Sequence, residues 1–353
     1  MSSSSPSPPV PTSPVQNILI LGATGKIGSY ITTALLNATP PPFKRIAIFT
    51  SQDTAERKKE VIEGFKGKGA EILVGDLGDL ESVGAAYRGI DTIISALGRD
   101  ALLAQIPLIT LAAQTPTIHR FIPSEYGTDI AFDATSAHEK PHQAKLKVRA
   151  WLEQKSAEVA AATTGENGRR LEYWYLVTGP YADPRPPMYF SDMSGRAAVE
   201  AGSFDVHRRE AVVLGDGKGR VAFCTCRDVA NFLLQTLLSQ PPTTKSHILK
   251  LHSFITTPLE IVAEFERQTS SPWSIKYTSL DHLRELEERA WKGGEPLAAV
   301  YSLRRIWTEG RTLYDEKGGW DEGVLGLGVG EGGKGTDRLE EAVGIAIEFS
   351  KKK

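Results

Sequence analysis

The sequence predicts an α/β fold: a doubly wound parallel sheet followed by a smaller C-terminal lid. Three observations carry this reading. Short apolar runs rich in β-branched residues recur at "NILILGA" (17–23), "RIAIFTS" (45–51), "EILVGDL" (71–77), "TIISALG" (92–98) and "RFIPSE" (120–125). Helix-like stretches lie between them, near 26–38, 54–66, 80–88 and 101–115. Continuous apolar strands alternating with helices indicate a parallel sheet covered on both faces and joined by right-handed crossovers. The third observation is a glycine-spaced turn where the first strand gives way to the first helix.

That turn is "GATGKIG", with Gly22, Gly25 and Gly28 at G-x-x-G-x-x-G spacing. Its glycines let the backbone bend tightly and approach a pyrophosphate, whose charge then sits on the helix N-terminus beside Thr24, Lys26 and Ile27. The three-residue first gap is the version used by short-chain-type reductases. Three glycines that merely pack helix on strand are the structural alternative. The second strand ends "IFTSQD", where an NAD enzyme usually places a carboxylate for the ribose hydroxyls. Thr50 and Ser51 stand there instead, and Arg57, Lys58 and Lys59 in the next helix could meet a 2′-phosphate. NADP(H) is therefore expected as cofactor; Asp53 keeps NAD as the minority alternative, and a solvated helix face is the plain reading of the basic residues.

The fourth strand ends in Ala96-Leu97-Gly98 and the fifth in Ser124-Glu125-Tyr126. Ligands of open α/β sheets bind beyond the carboxyl ends of the strands, so polar residues there mark a cleft. The alternative is that Ser124 and Glu125 hold loop backbone. A helix over about 141–161 follows, in which Lys145 and Arg149 share a face at i and i+4. No tyrosine has a lysine four residues later, so the Tyr-x-x-x-Lys of short-chain dehydrogenases is absent. A sixth strand is expected at "LEYWYLVTG" (171–179).

Beyond Gly179 the proline- and aromatic-rich "PYADPRPPMYF" cannot be regular helix. Tyr181, Met188, Tyr189 and Phe190 are expected to wall the substrate pocket, with Gly179 letting the chain pass close to the nicotinamide; packing of the lid is the alternative for each. A strand at Val221–Cys226, a helix at Asp228–Leu238 and a strand at His247–His252 follow. Thr257-Pro258-Leu259-Glu260 reads as a helix start with Thr as N-cap, Pro at N1 and Glu at N3. The expected organisation is a disordered leader at 1–15, a nucleotide-binding domain at 16–180, and a smaller substrate or lid region at 181–350 interleaved with it.

Composition narrows the class. At 353 residues, with 41% hydrophobic and 24% charged residues, the chain is an ordinary globular protein. A net charge of −2 leaves no footprint for nucleic acid or an anionic membrane, and no apolar run approaches a membrane span. The Ser/Pro-rich start lacks the pattern of a signal peptide. The two cysteines, Cys224 and Cys226, form neither a zinc set nor a disulfide framework, which fits a cytoplasmic location. Two motifs are decoys. The glycine-rich 318–335 stretch nearly spells a P-loop, but no strand precedes it and Gly335 replaces the required Ser/Thr. "HEKPH" (His138 to His142) copies a zincin motif, yet Pro141 breaks the helix that would present both imidazoles together. No metal is expected.

The spaced set "GATGKIG", "GFKGKGAEILVGDLGD", "IISALG", "RFIPSEYGTD" and "AKLKVRAWLE" resembles the NmrA-like and isoflavone reductase-like atypical short-chain dehydrogenases/reductases, from about Asn17 into the 260s. The resemblance implies an NAD(P)-binding Rossmann fold, NADPH, and hydride transfer to a small aromatic or enone-type substrate. It implies cofactor contacts along the strand ends, including Ala96, Leu97, Gly98 and Ser124, with Lys145 as the catalytic lysine and Arg149 as a cofactor-contacting arginine. Tyr126 replaces the family's Phe in P-S-E-F-G and joins the catalytic set. Thr50 falls where the family has an arginine, and its following lysine falls near Lys58 or Lys59. Arg304-Arg305 falls where plant members often have a His-Ser pair. A lysine can handle a proton only if burial and nearby positive charge lower its pKa. The alternative is a non-catalytic NADP-sensing regulator acting through a protein partner; oligomeric state stays open.

Overall fold

The computed structural model describes residues 14–162, 169–239, 248–314, 321 and 335–352. Most of the expected leader and almost all of the glycine-rich 318–335 stretch lie outside the described residues. The chain divides into two compact units: one holds the chain up to Ser124, Lys147–Tyr175 and Leu233–Leu249, the other Glu125–Leu146, Leu176–Phe232 and the chain from Lys250. Each unit is thus assembled from three separate stretches of the chain.

The first unit is built on five parallel strands: β1 (Asn17–Leu21), β2 (Arg45–Thr50), β3 (Glu71–Val74), β4 (Thr92–Ser95) and β5 (Arg120–Ile122), in the order β3-β2-β1-β4-β5. Its helices are α1 (Lys26–Asn37), α2 (Gln52–Arg57), α3 (Lys59–Gly67), α4 (Leu80–Ala86), α5 (Gln105–Gln114) and most of α6 (Gln143–Ala162). The central strand is buried from its second residue on: Ile18, Leu19, Ile20 and Leu21 are wholly buried, each worth roughly 1.5–3 kcal/mol of apolar transfer. Leu19, Leu21, Ile93 and Phe121 belong to one core with Val148 and Leu152 of α6.

Two expectations are corrected here. The helix expected over 54–66 is two helices, because the Ser51 hydroxyl caps α2 through the Thr54 amide and Lys58 leaves helical geometry at φ −117°, ψ 32°. The sixth strand shortens to β6 (Tyr175–Val177) and is not part of the five-stranded sheet. Ahead of it, an isolated bridge joins Arg120 of β5 to Glu172, and their side chains pair at 2.5 Å.

The second unit contains β7 (Ser203–Asp205), β8 (Glu210–Leu214), β9 (Val221–Phe223), the start of α7 (Cys226–Ser239), the end of β10 (Ile248–Lys250), β11 (Phe254–Thr256), α8 (Pro258–Thr269), β12 (Ser274–Thr278), α9 (Leu280–Gly293), α10 (Ala298–Thr308) and α11 (Leu339–Ser350). Strands β12-β8-β7 form one sheet and β11-β9 another. The capping box is present at α8: Thr257 Oγ1 accepts from the Glu260 amide and Glu260 returns the bond to the Thr257 amide. Strand β9 stops at Phe223 rather than Cys226, because Thr225 turns the chain into α7, its hydroxyl accepting from the Asp228 amide. Both cysteines are buried and reduced. Among the described residues no helix is long and apolar enough to cross a membrane.

Candidate active site

In the first unit, the chain between β1 and α1 folds back on itself. Gly22 holds φ +79°, and a Cβ there would meet the Ala96 carbonyl oxygen at 2.6 Å; on Gly28 it would meet the Gly22 carbonyl oxygen at 2.1 Å. Gly25, the N-cap of α1, donates its amide to that same Gly22 oxygen at 2.9 Å and brings no side-chain cap. The leading amides of α1, from Lys26 and Ile27 onward, therefore have no side-chain cap from Gly25, and the closely packed backbone keeps side-chain bulk away. That is the donor set a pyrophosphate requires, so these residues fit a dinucleotide. We expect Gly28→Ala to destabilise the protein by about 1–3 kcal/mol, since the clashing atom is backbone and cannot rotate away. Thermal melts with and without NADPH check this; an unchanged melting temperature would refute the tight-packing account.

Around the adjoining strand ends, Thr50 is buried and its carbonyl accepts from the Gly75 amide at 2.9 Å. Arg57 turns outward and pairs with Asp53 at 2.5 Å, both side chains mostly exposed, and the bond to Asp53 raises its pKa. Lys59 is exposed. Lys58 differs: its Nζ reaches the Thr24 carbonyl at 2.7 Å, setting an ammonium at the glycine turn. The structure thus brings one of the three expected basic residues to the turn. Ser124 donates its hydroxyl to the Leu97 carbonyl at 2.8 Å and its amide to Gln105 Oε1 at 2.9 Å, so its side chain holds loop backbone. Gly98 opens the 3₁₀ turn Arg99–Ala104 without a side-chain cap. Arg149 is buried with its guanidinium 4.3 Å above the Tyr175 ring.

In the second unit, the chain from Glu125 to Asp129 is held from several sides. Lys145, in the first turn of α6, donates its Nζ to the Glu125 carbonyl. A Cβ on Gly127 would lie 3.6 Å from that Nζ, so the ammonium rests against the Glu125–Gly127 backbone. The Tyr181 hydroxyl donates to the Tyr126 carbonyl at 2.5 Å, Trp307 Nε1 to Thr128 Oγ1 at 2.7 Å, and the Tyr314 hydroxyl to Asp129 Oδ2 at 2.6 Å. Tyr126 is 7% exposed, and its hydroxyl has no hydrogen-bond partner among the described residues. Burial, reinforced by the Glu125 charge, pushes its pKa above the ordinary tyrosine value. It therefore stays a neutral hydrogen-bonding group rather than an ionising acid. Thr128, Trp307 and Tyr314 were not foreseen from the sequence; only the "GTD" after "PSEY" pointed to this loop.

The "HEKPH" motif is broken as its proline requires. Residues Ser136–His138 and Lys140–His142 are separate 3₁₀ turns, and α6 begins only at Gln143. Glu139 pairs with Arg305 at 2.6 Å and Arg311 at 3.1 Å. Arg305, one of the two arginines expected at the plant His-Ser position, thus works as an anchor for this loop. Arg304, the other, is 1% exposed, stacks 4.1 Å over Tyr189 and donates to the Met188 carbonyl at 2.8 Å.

The residues of the expected pocket wall differ in burial. Tyr189 and Phe190 are 2% and 1% exposed, inside an aromatic core with Phe204, Phe223 and Phe265. An irregular loop gives no periodicity from which to read its inner face, and here these rings face inward. Tyr181 and Met188 are half-buried. Gly179 holds φ +62°, and its missing Cβ avoids the Ala222 carbonyl oxygen at 2.8 Å. Close approach to β9 is sufficient reason for glycine there.

Comparison with known proteins gives a consistent picture. Residues 14–167 match the NmrA-like family. The chain is 28% identical over 269 residues to phenylcoumaran benzylic ether reductase PT1 of Pinus taeda, covering 76% of this chain and 80% of that one. It is 27% identical over 308 residues to isoflavone reductase of Pisum sativum, covering 84% and 89%. Leucoanthocyanidin reductase from Vitis vinifera, solved as a binary complex with NADPH, superposes with a TM-score of 0.71 at 20% identity, over 94% of this chain and 99% of that one. The likeness establishes the shared Rossmann-type α/β fold.

Proposed function

We propose that the chain is an NADPH-dependent reductase of isoflavone reductase-like type, acting on a small aromatic or enone-type molecule, a reading supported by the match of residues 14–167 to the NmrA-like family and by the similarity to named reductases. When bound, the reduced nicotinamide supplies the hydride. The glycine turn and the amides of α1 would hold the pyrophosphate, and Lys58 the 2′-phosphate. Lys145 handles the substrate proton. The observation that carries the reading is Lys145 itself: half-buried, in the first turn of α6, with its Nζ on the Glu125 carbonyl at the end of the "RFIPSEYG" segment.

The direct test is NADPH consumption across a panel of aromatic ketones and enones. Steady consumption with at least one member is expected. Tight NADP binding without turnover on any member would favour the sensing alternative. Cofactor choice gives a second check. Charge-assisted bonds to phosphate are worth roughly 1.5–3 kcal/mol. Lys58→Ala should therefore weaken NADPH by about tenfold or more relative to NADH, with Arg57→Ala, already neutralised by Asp53, much less affected. Fluorescence titration with both cofactors reads the ratio; an unchanged ratio in the Lys58 variant removes it from the phosphate site.

A further inference from the structure

His142 is left over from every role above. It is 2% exposed, stands three residues before Lys145, and its ring is held through one nitrogen. Nδ1 lies 2.8 Å from the Ser136 carbonyl. A carbonyl only accepts, so Nδ1 carries the hydrogen. Burial lowers the pKa of the ring; the Ser136 bond works the other way, and among the surrounding charges Lys145 lowers it while Glu139 and Asp129 raise it. The neutral ring then presents a bare lone pair at Nε2. No described residue donates to that atom, although it is buried. Lys145, three residues on, bonds the Glu125 carbonyl.

The placement is built rather than adaptive. Asp133 Oδ1 accepts from the Ser136 amide at 3.0 Å, fixing the turn that supplies the carbonyl. Glu139, between the two turns, is gripped by Arg305 and Arg311. A second buried atom without a partner, the Tyr126 hydroxyl, belongs to the residue directly after Glu125. Both unpartnered groups thus lie close in the chain to the Lys145–Glu125 contact, Tyr126 next to Glu125 and His142 three residues before Lys145. Buried polar atoms are seldom left without partners, and a bound group is one thing that satisfies such an atom.

We propose that His142 is a specificity-determining residue of the Lys145 site, its Nε2 accepting a hydrogen bond from a hydroxyl on the aromatic substrate. The proposal rests on the reductase reading and adds to it a preference for hydroxyl-bearing substrates. The NADP-saturated protein is titrated calorimetrically with 4-hydroxyacetophenone, 4-methoxyacetophenone and acetophenone. The hydroxyl compound should bind about tenfold tighter than the other two, the effect of one hydrogen bond. His142→Phe should abolish that preference and His142→Gln, which keeps an acceptor, should restore part of it, with NADPH affinity unchanged in both. Equal binding of the three compounds by the native protein, or a preference that survives in the Phe variant, overturns the proposal. Should the Phe variant fail to fold, nitrogen-15 NMR of the native protein decides. Nε2 of His142 must resonate as an unprotonated nitrogen and shift when 4-hydroxyacetophenone is added; no shift overturns the proposal. Consumption of NADPH with ketones or enones but no hydroxyl preference would sink His142 and leave the reductase standing. A native protein that binds no NADPH sinks both.

Discussion

Replacing Lys145 by alanine is expected to lower kcat for aromatic ketones and enones by about 10²–10⁴-fold, the usual contribution of a positioned proton-transfer group. The reasoning begins with the packing. Lys145 stands at the first turn of α6, and its Nζ rests on backbone of the 125–127 segment rather than in solvent. Removal of the amine leaves the Glu125 carbonyl without that donor, so a modest loss of stability accompanies the loss of turnover. NADPH titration and a thermal melt separate the two effects: cofactor should still bind, and the protein should still unfold cooperatively. Lys145→Arg keeps a cation that can reach the carbonyl but does not give up its proton near neutral pH, so it should be as slow as the alanine variant. Turnover equal to the native protein in either variant would remove Lys145 from the mechanism.

The five-stranded sheet was legible in the sequence because each buried parallel strand is a continuous apolar run bounded by turn residues. Ile18 to Leu21 has no polar alternation to confuse it. The glycine turn was legible because part of its need for glycine is local: Gly22 holds φ +79° and Gly28 abuts the Gly22 carbonyl, although Gly22 also meets Ala96 far along the chain. The break at Lys58 was not, since helix propensity runs straight through "ERKKE" and the interruption arises where Lys58 bonds the Thr24 carbonyl, 34 residues distant. Strand β9 was overestimated for a similar reason. "VAFCTC" has uniform β-propensity, and only the Thr225 hydroxyl and its bond to the Asp228 amide mark where the helix takes over. The loop after "PSEY" shows the limit most clearly. Nothing near Trp307 or Tyr314 signals that their polar atoms meet Thr128 and Asp129, because those pairs are 179 and 185 residues apart.

The aromatic loop gives the other large expected effect. Phe190→Ala should destabilise the protein by about 3–5 kcal/mol, since the ring is 1% exposed and its removal leaves a cavity among rings that cannot close up. Phe223 lies 5.6 Å from Phe190 between ring centroids, Phe204 6.0 Å and Phe265 6.4 Å. Each is itself fixed by further partners, as Phe265 is by Trp273 at 4.7 Å. At roughly 2–4 °C per kcal/mol the melting temperature should fall by about 6–20 °C. Tyr181→Ala makes the contrast. Tyr181 is half-buried and its hydroxyl bonds the Tyr126 carbonyl, so its loss should cost less stability while altering the loop on which Lys145 rests. Substrate profile and melting temperature, measured on both variants, therefore ought to respond oppositely: stability to position 190, KM to position 181. A Phe190 variant that melts like the native protein but prefers different ketones would place that ring against the substrate, because a side chain packed on all sides by phenylalanines cannot be cut away without the fold registering it.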